Sequence, residues 1–188
     1  MKFQNEYFYI LTGGPGVGKT AVLDELQKSG YSTVPETARA IIKEQIATAG
    51  EALPWKNKER YMELMLLASV ESYKDAAAAA SLSPLFFDRG ILDAFCYAAI
   101  IGKDPTSEMQ EIATTYRYSS TVFIFPPWKA IYETDSERKQ DWNEAEATFE
   151  QMKKTYEAYG YKVIEVPKGT VAERKDFILH QIHKQEQK

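Results

Sequence analysis

Between the apolar run YFYILT (7–12) and the amphipathic stretch that begins at Lys19, the chain reads GGPGVGKT, a G-x-x-x-x-G-K-[ST] pattern at a strand-to-helix junction. Glycines at such a junction let the backbone turn tightly and aim successive N–H groups into one concavity. The helix that follows adds the positive end of its dipole, and a polyphosphate fits such a nest. Gly13, Gly14, Pro15, Gly16, Val17, Gly18, Lys19, Thr20 and Ala21 are therefore the expected nucleotide-binding residues. Lys19 would reach the β- and γ-phosphates as a point charge, and Thr20 would offer its hydroxyl to Mg²⁺. Chance places this pattern in on the order of 1% of chains this long, and in fewer at a strand-to-helix junction.

A phosphate loop needs a second group to organise magnesium, usually an Asp at the end of a later buried strand. Asp88, closing PLFFD (84–88), is expected to be that group, although an Asp there also suits a helix N-cap. The next residue is Arg89 and not a Glu that would activate water, so transfer to an organic acceptor fits better than hydrolysis. Glu36 ends the second strand candidate, on the side of an open parallel sheet where ligands bind. It is a candidate base for an acceptor hydroxyl, or a ligand to that hydroxyl or to a magnesium-bound water. Arg39, one turn later, Arg89 and Asp93 complete the expected acceptor side. For Glu36 and Asp93 the plainer alternative is a carboxylate favouring a helix dipole, and for Arg39 a solvated side chain.

After the fourth strand candidate, PPWK (126–129) stops the strand and a densely charged stretch follows, as suits an exposed lid over about 127–142. A cation arriving over the γ-phosphate favours phosphoryl transfer; Arg138 is the first candidate and Lys139 the second. Pro167, in the turn after the fifth strand candidate, is expected to pack against the base. No Asn-Lys-x-Asp guanine signature follows the fourth strand candidate, which favours ATP over GTP. Cys96, between Phe95 and Tyr97, reads as inert core.

The elements that must hold these residues alternate in the βαβ manner. Strands are expected at 7–12, 31–34, 84–88, 121–125 and 162–166. Helices are expected at 19–29, 37–49, 56–81, 91–101, 107–118, 143–159 and 171–185, with Gly30 and Gly160 as C-terminal caps. The 188 residues suggest one domain over 1–188, and 44% hydrophobic with 27% charged residues is ordinary globular composition. A net charge of −4 argues against a nucleic-acid partner. A single cysteine, no apolar run long enough to span a bilayer and no signal-peptide pattern predict a cytoplasmic protein without membrane contact.

Five segments in order, GGPGVGKT, PETAR, FFDRG-x-x-D, PPW-x-x-x-Y-x-x-D-x-x-R and VP-x-GTVAER, resemble the AAA-type ATP-binding P-loop family that includes the ribosylnicotinamide kinase domain of NadR. The resemblance spans nearly the whole chain. It implies a P-loop NTPase α/β fold: a three-layer α/β/α sandwich whose five-stranded parallel sheet has the order 2-3-1-4-5, as in nucleoside and nucleotide kinases, with a helical lid. It further implies Asp88 beside the loop, Arg138 in the lid, and Glu36 and Asp93 near the acceptor. The expected function is a Mg²⁺-dependent kinase that uses ATP on a nucleoside-like small-molecule hydroxyl. The alternatives are an ATPase or GTPase switch engaging a protein partner and, disfavoured by the acidic balance, a polynucleotide-end kinase.

Overall fold

The computed structural model describes residues 3–79, 82–131 and 142–186. The sheet at its centre follows from strands that are apolar on both faces. Strand β1 (Phe3–Gln4) is a short addition; β2 (Phe8–Gly13) is buried throughout and leads into α1 (Lys19–Lys28). The chain continues through β3 (Ser32–Val34), α2 (Thr37–Ala47), α3 (Lys58–Ala78), β4 (Leu85–Asp88), α4 (Ile91–Ile100) and α5 (Ser107–Thr115). It ends with β5 (Tyr116–Arg117), β6 (Thr121–Phe125), α6 (Trp142–Ala158), β7 (Lys162–Glu165) and α7 (Val171–Glu186). The main sheet is wholly parallel in the order β3-β4-β2-β6-β7, which is the expected 2-3-1-4-5.

Because side chains alternate across a strand, β2 feeds two cores. Phe8 and Ile10 pack with Phe87 and Val122 against α3 and α4, while Tyr9 and Leu11 pack with Phe86 and Phe123 against Val22 and Leu26 of α1 and Ile178 and Ile182 of α7. That double coverage makes the sheet the middle of three layers and brings the carboxyl ends of β2, β3 and β4 to one edge, where a parallel sheet binds ligands.

Helix ends fall where local chemistry stops them. Gly30 and Gly160 take positive φ (92° and 79°) after α1 and α6. Each donates its N–H back to the preceding turn (Gly30 to Gln27, Gly160 to Glu157), with the next residue reaching one position further back. The expected helix over 107–118 ends earlier than its pattern suggests. Tyr116 and Arg117 instead pair in parallel with Phe3 and Gln4. Tyr116 stacks on Phe3 at 5.8 Å, and the Tyr73 hydroxyl donates to the carbonyls of Phe3 and Arg117 at 3.0 and 2.9 Å. This long-range pairing overrides local helix preference, and no periodicity within 107–118 could announce it.

Phe123 is fully buried at the centre of β6, so Phe123→Ala should destabilise the protein by about 3–5 kcal/mol. Urea unfolding should then show a lower midpoint with an unchanged slope.

Candidate active site

The end of α1 is unlike those of α3, α5 and α7. Asn57 caps α3 and Thr106 caps α5 by accepting backbone N–H bonds. At α7 the capping is reciprocal: Glu173 N–H donates to the Thr170 hydroxyl oxygen, and Thr170 N–H donates to the Glu173 carboxylate. In contrast, α1 begins after Gly18 at φ 84° with no side-chain cap and no acidic residue in its first turn. Its leading N–H groups are left for an external acceptor. Gly13 has φ 140°, and a Cβ there would stand 2.6 Å from the Phe125 carbonyl oxygen, so the loop's first position admits no side chain. Lys19 folds back over the loop, its Nζ donating to the carbonyls of Gly13 and Gly14 at 3.0 Å each.

A buried ionic cluster flanks the loop. Arg89 has φ 74°, a left-handed conformation that is costly for a non-glycine residue and that recurs at functional sites. It donates from Nε to Glu36 Oε1 at 2.7 Å and from Nη1 to Asp93 Oδ1 at 3.0 Å. Asp93 is fully engaged: it also accepts from the Thr12 hydroxyl (2.7 Å), the Gly90 N–H (3.0 Å) and the Tyr156 hydroxyl (2.6 Å). Arg39 lies 3.6 Å from Glu36 Oε2 and is half-exposed. Asp88 is buried and its Oδ1 has no hydrogen-bond partner.

These surroundings shift the charges. Burial is the largest influence on Lys19 and, with the neighbouring Arg89 charge, brings its ammonium down to about 8 despite Asp88, Glu36 and Asp93 nearby. Burial alone would raise Glu36, but the charges of Arg89 and Lys19 and the Arg89 hydrogen bond outweigh it and hold the carboxyl at about 2. Burial pushes Asp88 up, against the pull of Lys19 and Arg89. Burial likewise pushes the Cys96 thiol up, which agrees with an inert side chain.

A cleft of about 670 Å³ joins these parts. One end is the loop, Pro15 to Ala21; Glu36, Arg39, Arg89 and Asp93 border the middle; the far end is apolar, with Ile42, Tyr61, Met65, Tyr97 and Ile100. Tyr61 and Tyr97 meet edge to face there, centroids 5.4 Å apart. Asp88 does not line this cleft; it borders a separate cavity of about 10 Å³ with Val34, Pro35 and Thr37. Pro167 is exposed and outside the cleft lining, whereas Val171 and Arg174, on the first turn of α7, do line it. Arg138 and Lys139 lie outside the described residues. Arg174 stands in the VAER segment, outside the residues expected to form the site. Its signal is an arginine one turn into the helix after the last strand, which only packing against the loop turns into a site residue.

The fold is the P-loop α/β fold seen in nucleoside and nucleotide kinases. The chain belongs to the AAA domain family, which matches residues 8–174. No curated protein matches the sequence. Among solved structures, the fold is similar to deoxyadenosine kinase from M. mycoides with bound dATP, at 17% identity and a TM-score of 0.60, over 94% of this chain and 99% of that one. It is similar to the NadR protein in complex with NR at 15% identity and a TM-score of 0.71, over 95% of this chain but 50% of that one. Thymidylate kinase from Ehrlichia chaffeensis aligns at 13% identity and a TM-score of 0.61, over 95% of this chain and 98% of that one. No helix among the described residues is long and apolar enough to cross a membrane.

Because Glu36 sits near 2 in the folded protein against an ordinary 4.5, its contribution is complete above about pH 4.5 and is lost as pH falls toward 2. Glu36→Gln should cost about 2–3 kcal/mol at pH 7. The gap to the parent protein should shrink to under about 1 kcal/mol near pH 2, as read by urea unfolding across that range.

Proposed function

We propose that this protein is a Mg²⁺-dependent kinase that transfers the γ-phosphoryl group of ATP to a hydroxyl of a small nucleoside-like acceptor, within one domain. The observation that carries the reading is the two-part cleft. A space of about 670 Å³ starts at the open end of α1 and continues past Glu36 and Arg89 into an apolar compartment. That is the size of a small-molecule site. A nucleotide switch needs the first part only, whereas a kinase needs both.

The loop N–H groups and Lys19 would hold the phosphate chain, with Lys19 exchanging its contacts to Gly13 and Gly14 for phosphate oxygens. Among the described residues no three His, Cys, Asp or Glu side chains converge on a metal site. Mg²⁺, which keeps waters and needs only one or two side chains beside phosphates, nonetheless fits the donors present. They are the Thr20 hydroxyl in the cleft and the buried Asp88 Oδ1, which borders a separate small cavity near the Lys19 and Arg89 charges and has no hydrogen-bond partner. When bound, the ion would spread the charge of the transferring group.

Glu36 orients rather than deprotonates the acceptor. A carboxyl near 2 is too weak a base to remove an alcohol proton, but it accepts a hydrogen bond well. Asp93, which accepts from Thr12, Gly90, Tyr156 and Arg89, fixes Arg89, and two of the three Arg89 nitrogens are spent holding Glu36 and Asp93. The remaining guanidinium edge and Arg39 are the cations available to the acceptor side. Arg138 is the proposed lid cation, and the connection after β7 that includes Pro167 is the proposed base-side wall, with ATP favoured over GTP.

The test is transfer of label from γ-labelled ATP across a panel of nucleosides. Acceptor-dependent labelling, cut at least 100-fold in Lys19→Ala, is expected; acceptor-independent phosphate release alone would make the protein an ATPase and overturn the reading. The ammonium at about 8 adds a pH signature. Only charged Lys19 pairs with phosphate, so ATP affinity should fall by about tenfold per pH unit above 8 in the parent protein. It should stay flat in Lys19→Ala, as calorimetry between pH 7 and 9.5 would show.

A further inference from the structure

Arg174 takes no part in the chemistry above, and it differs from the other buried charges. Arg89, Glu36 and Asp93 answer one another, but none of the ion pairs among the described residues includes Arg174. It is 5% exposed on the first turn of α7. Its Nη1 donates to the Val17 carbonyl at 3.1 Å, its Nε is buried without a partner, and its guanidinium lies 5.9 and 5.8 Å from the ring centroids of Phe125 and Trp128. A Cβ on Gly18 would come within 2.7 Å of Nη1, so the guanidinium lies directly against the last loop residues before Lys19. It also lines the nucleotide end of the cleft.

A buried cation without a counter-charge is expensive, and an apolar side chain of similar length would fill the same space without that cost. Aromatic faces recover part of it, but among the described residues no carboxylate pairs with it. The open loop beside it is where that charge would arrive. The bond to Val17 also satisfies one loop carbonyl from α7.

We propose that Arg174 is a second cation of the polyphosphate site: a positioning residue on α7 that fixes the Val17–Gly18 backbone and supplies unpaired positive charge to the phosphate chain. This rests on the reading of the loop as a polyphosphate site. It predicts opposite effects on stability and on binding, which a purely structural arginine would not produce.

The experiment compares the full-length protein with Arg174→Met, Arg174→Lys and Lys19→Ala. Thermal unfolding is measured without ligand, and calorimetry with Mg²⁺ and either ATP or inorganic tripolyphosphate, which carries the charge but no base. Arg174→Met should unfold at the same or a higher temperature than the parent, yet bind both ligands at least tenfold more weakly. Arg174→Lys should bind both within about threefold of the parent, because the charge is kept. Unchanged affinity in Arg174→Met overturns the proposal. So does weakening for ATP but not tripolyphosphate, which would mean base recognition, or a lowered unfolding temperature with Arg174→Lys binding no better than Arg174→Met. If the parent binds neither ligand, the polyphosphate reading itself fails. If the parent binds, Lys19→Ala binds more weakly, and Arg174→Met binds like the parent, only the role of Arg174 is lost.

Discussion

The structure depends on how the amino end of α1 is built. Every α-helix begins with N–H groups that its own backbone cannot satisfy, and in α3, α5 and α7 side chains supply acceptors for them. At α1 the chain supplies glycines and a lysine instead. The loop's first position, pressed against the Phe125 carbonyl, has no room for a side chain. The α1 donors and dipole thus converge with the Lys19 ammonium, which rests on the Gly13 and Gly14 carbonyls, and the fold holds that end in place.

The rigidity comes from the sheet. Strand β2 is buried from Phe8 to Gly13 and pairs on both sides, with β4 and β6. The loop is therefore tied to the two strands whose ends bring in Asp88, Arg89 and the Phe125 backbone. Asp93 works at the same junction. Its two oxygens take bonds from β2 (Thr12), from the turn before α4 (Gly90), from α6 (Tyr156) and from Arg89. One buried carboxylate thus sets the position of the arginine that in turn holds Glu36. A charge satisfied this completely is a fixture of the frame, and the freedom to meet a ligand passes to Arg89, Glu36 and Lys19.

Charge is distributed unevenly along the cleft, which gives it direction. The loop end is positive and poor in carboxylates, the middle is a paired network, and the far end is lined by Tyr61, Met65 and Tyr97. A ligand with an anionic tail and a ligand with a flat apolar body would sort to opposite ends, with Glu36 and Arg89 between them. Preorganised groups of this kind lower the cost of bringing two reactants into line.

Sequence by itself determined the parts whose information is local. GGPGVGKT marks the phosphate loop because glycine spacing and a following lysine are backbone requirements written in consecutive residues. The strand and helix alternation, and the glycine caps at 30 and 160, were equally legible, because burial on both faces and positive φ restrict residue type at the position itself. Tertiary structure alone decided the pairing of Phe3–Gln4 with Tyr116–Arg117, the full engagement of Asp93 and the acidity of Glu36. It also decided the absence of Asp88 and Pro167 from the main cleft lining, and the place of Arg174 against Val17. These depend on groups far apart in the chain, 53 positions for Arg89 to Glu36 and 157 for Arg174 to Val17. A hydrogen bond or a desolvated charge is a property of the neighbours that folding brings together, and no residue carries those neighbours in its own spacing.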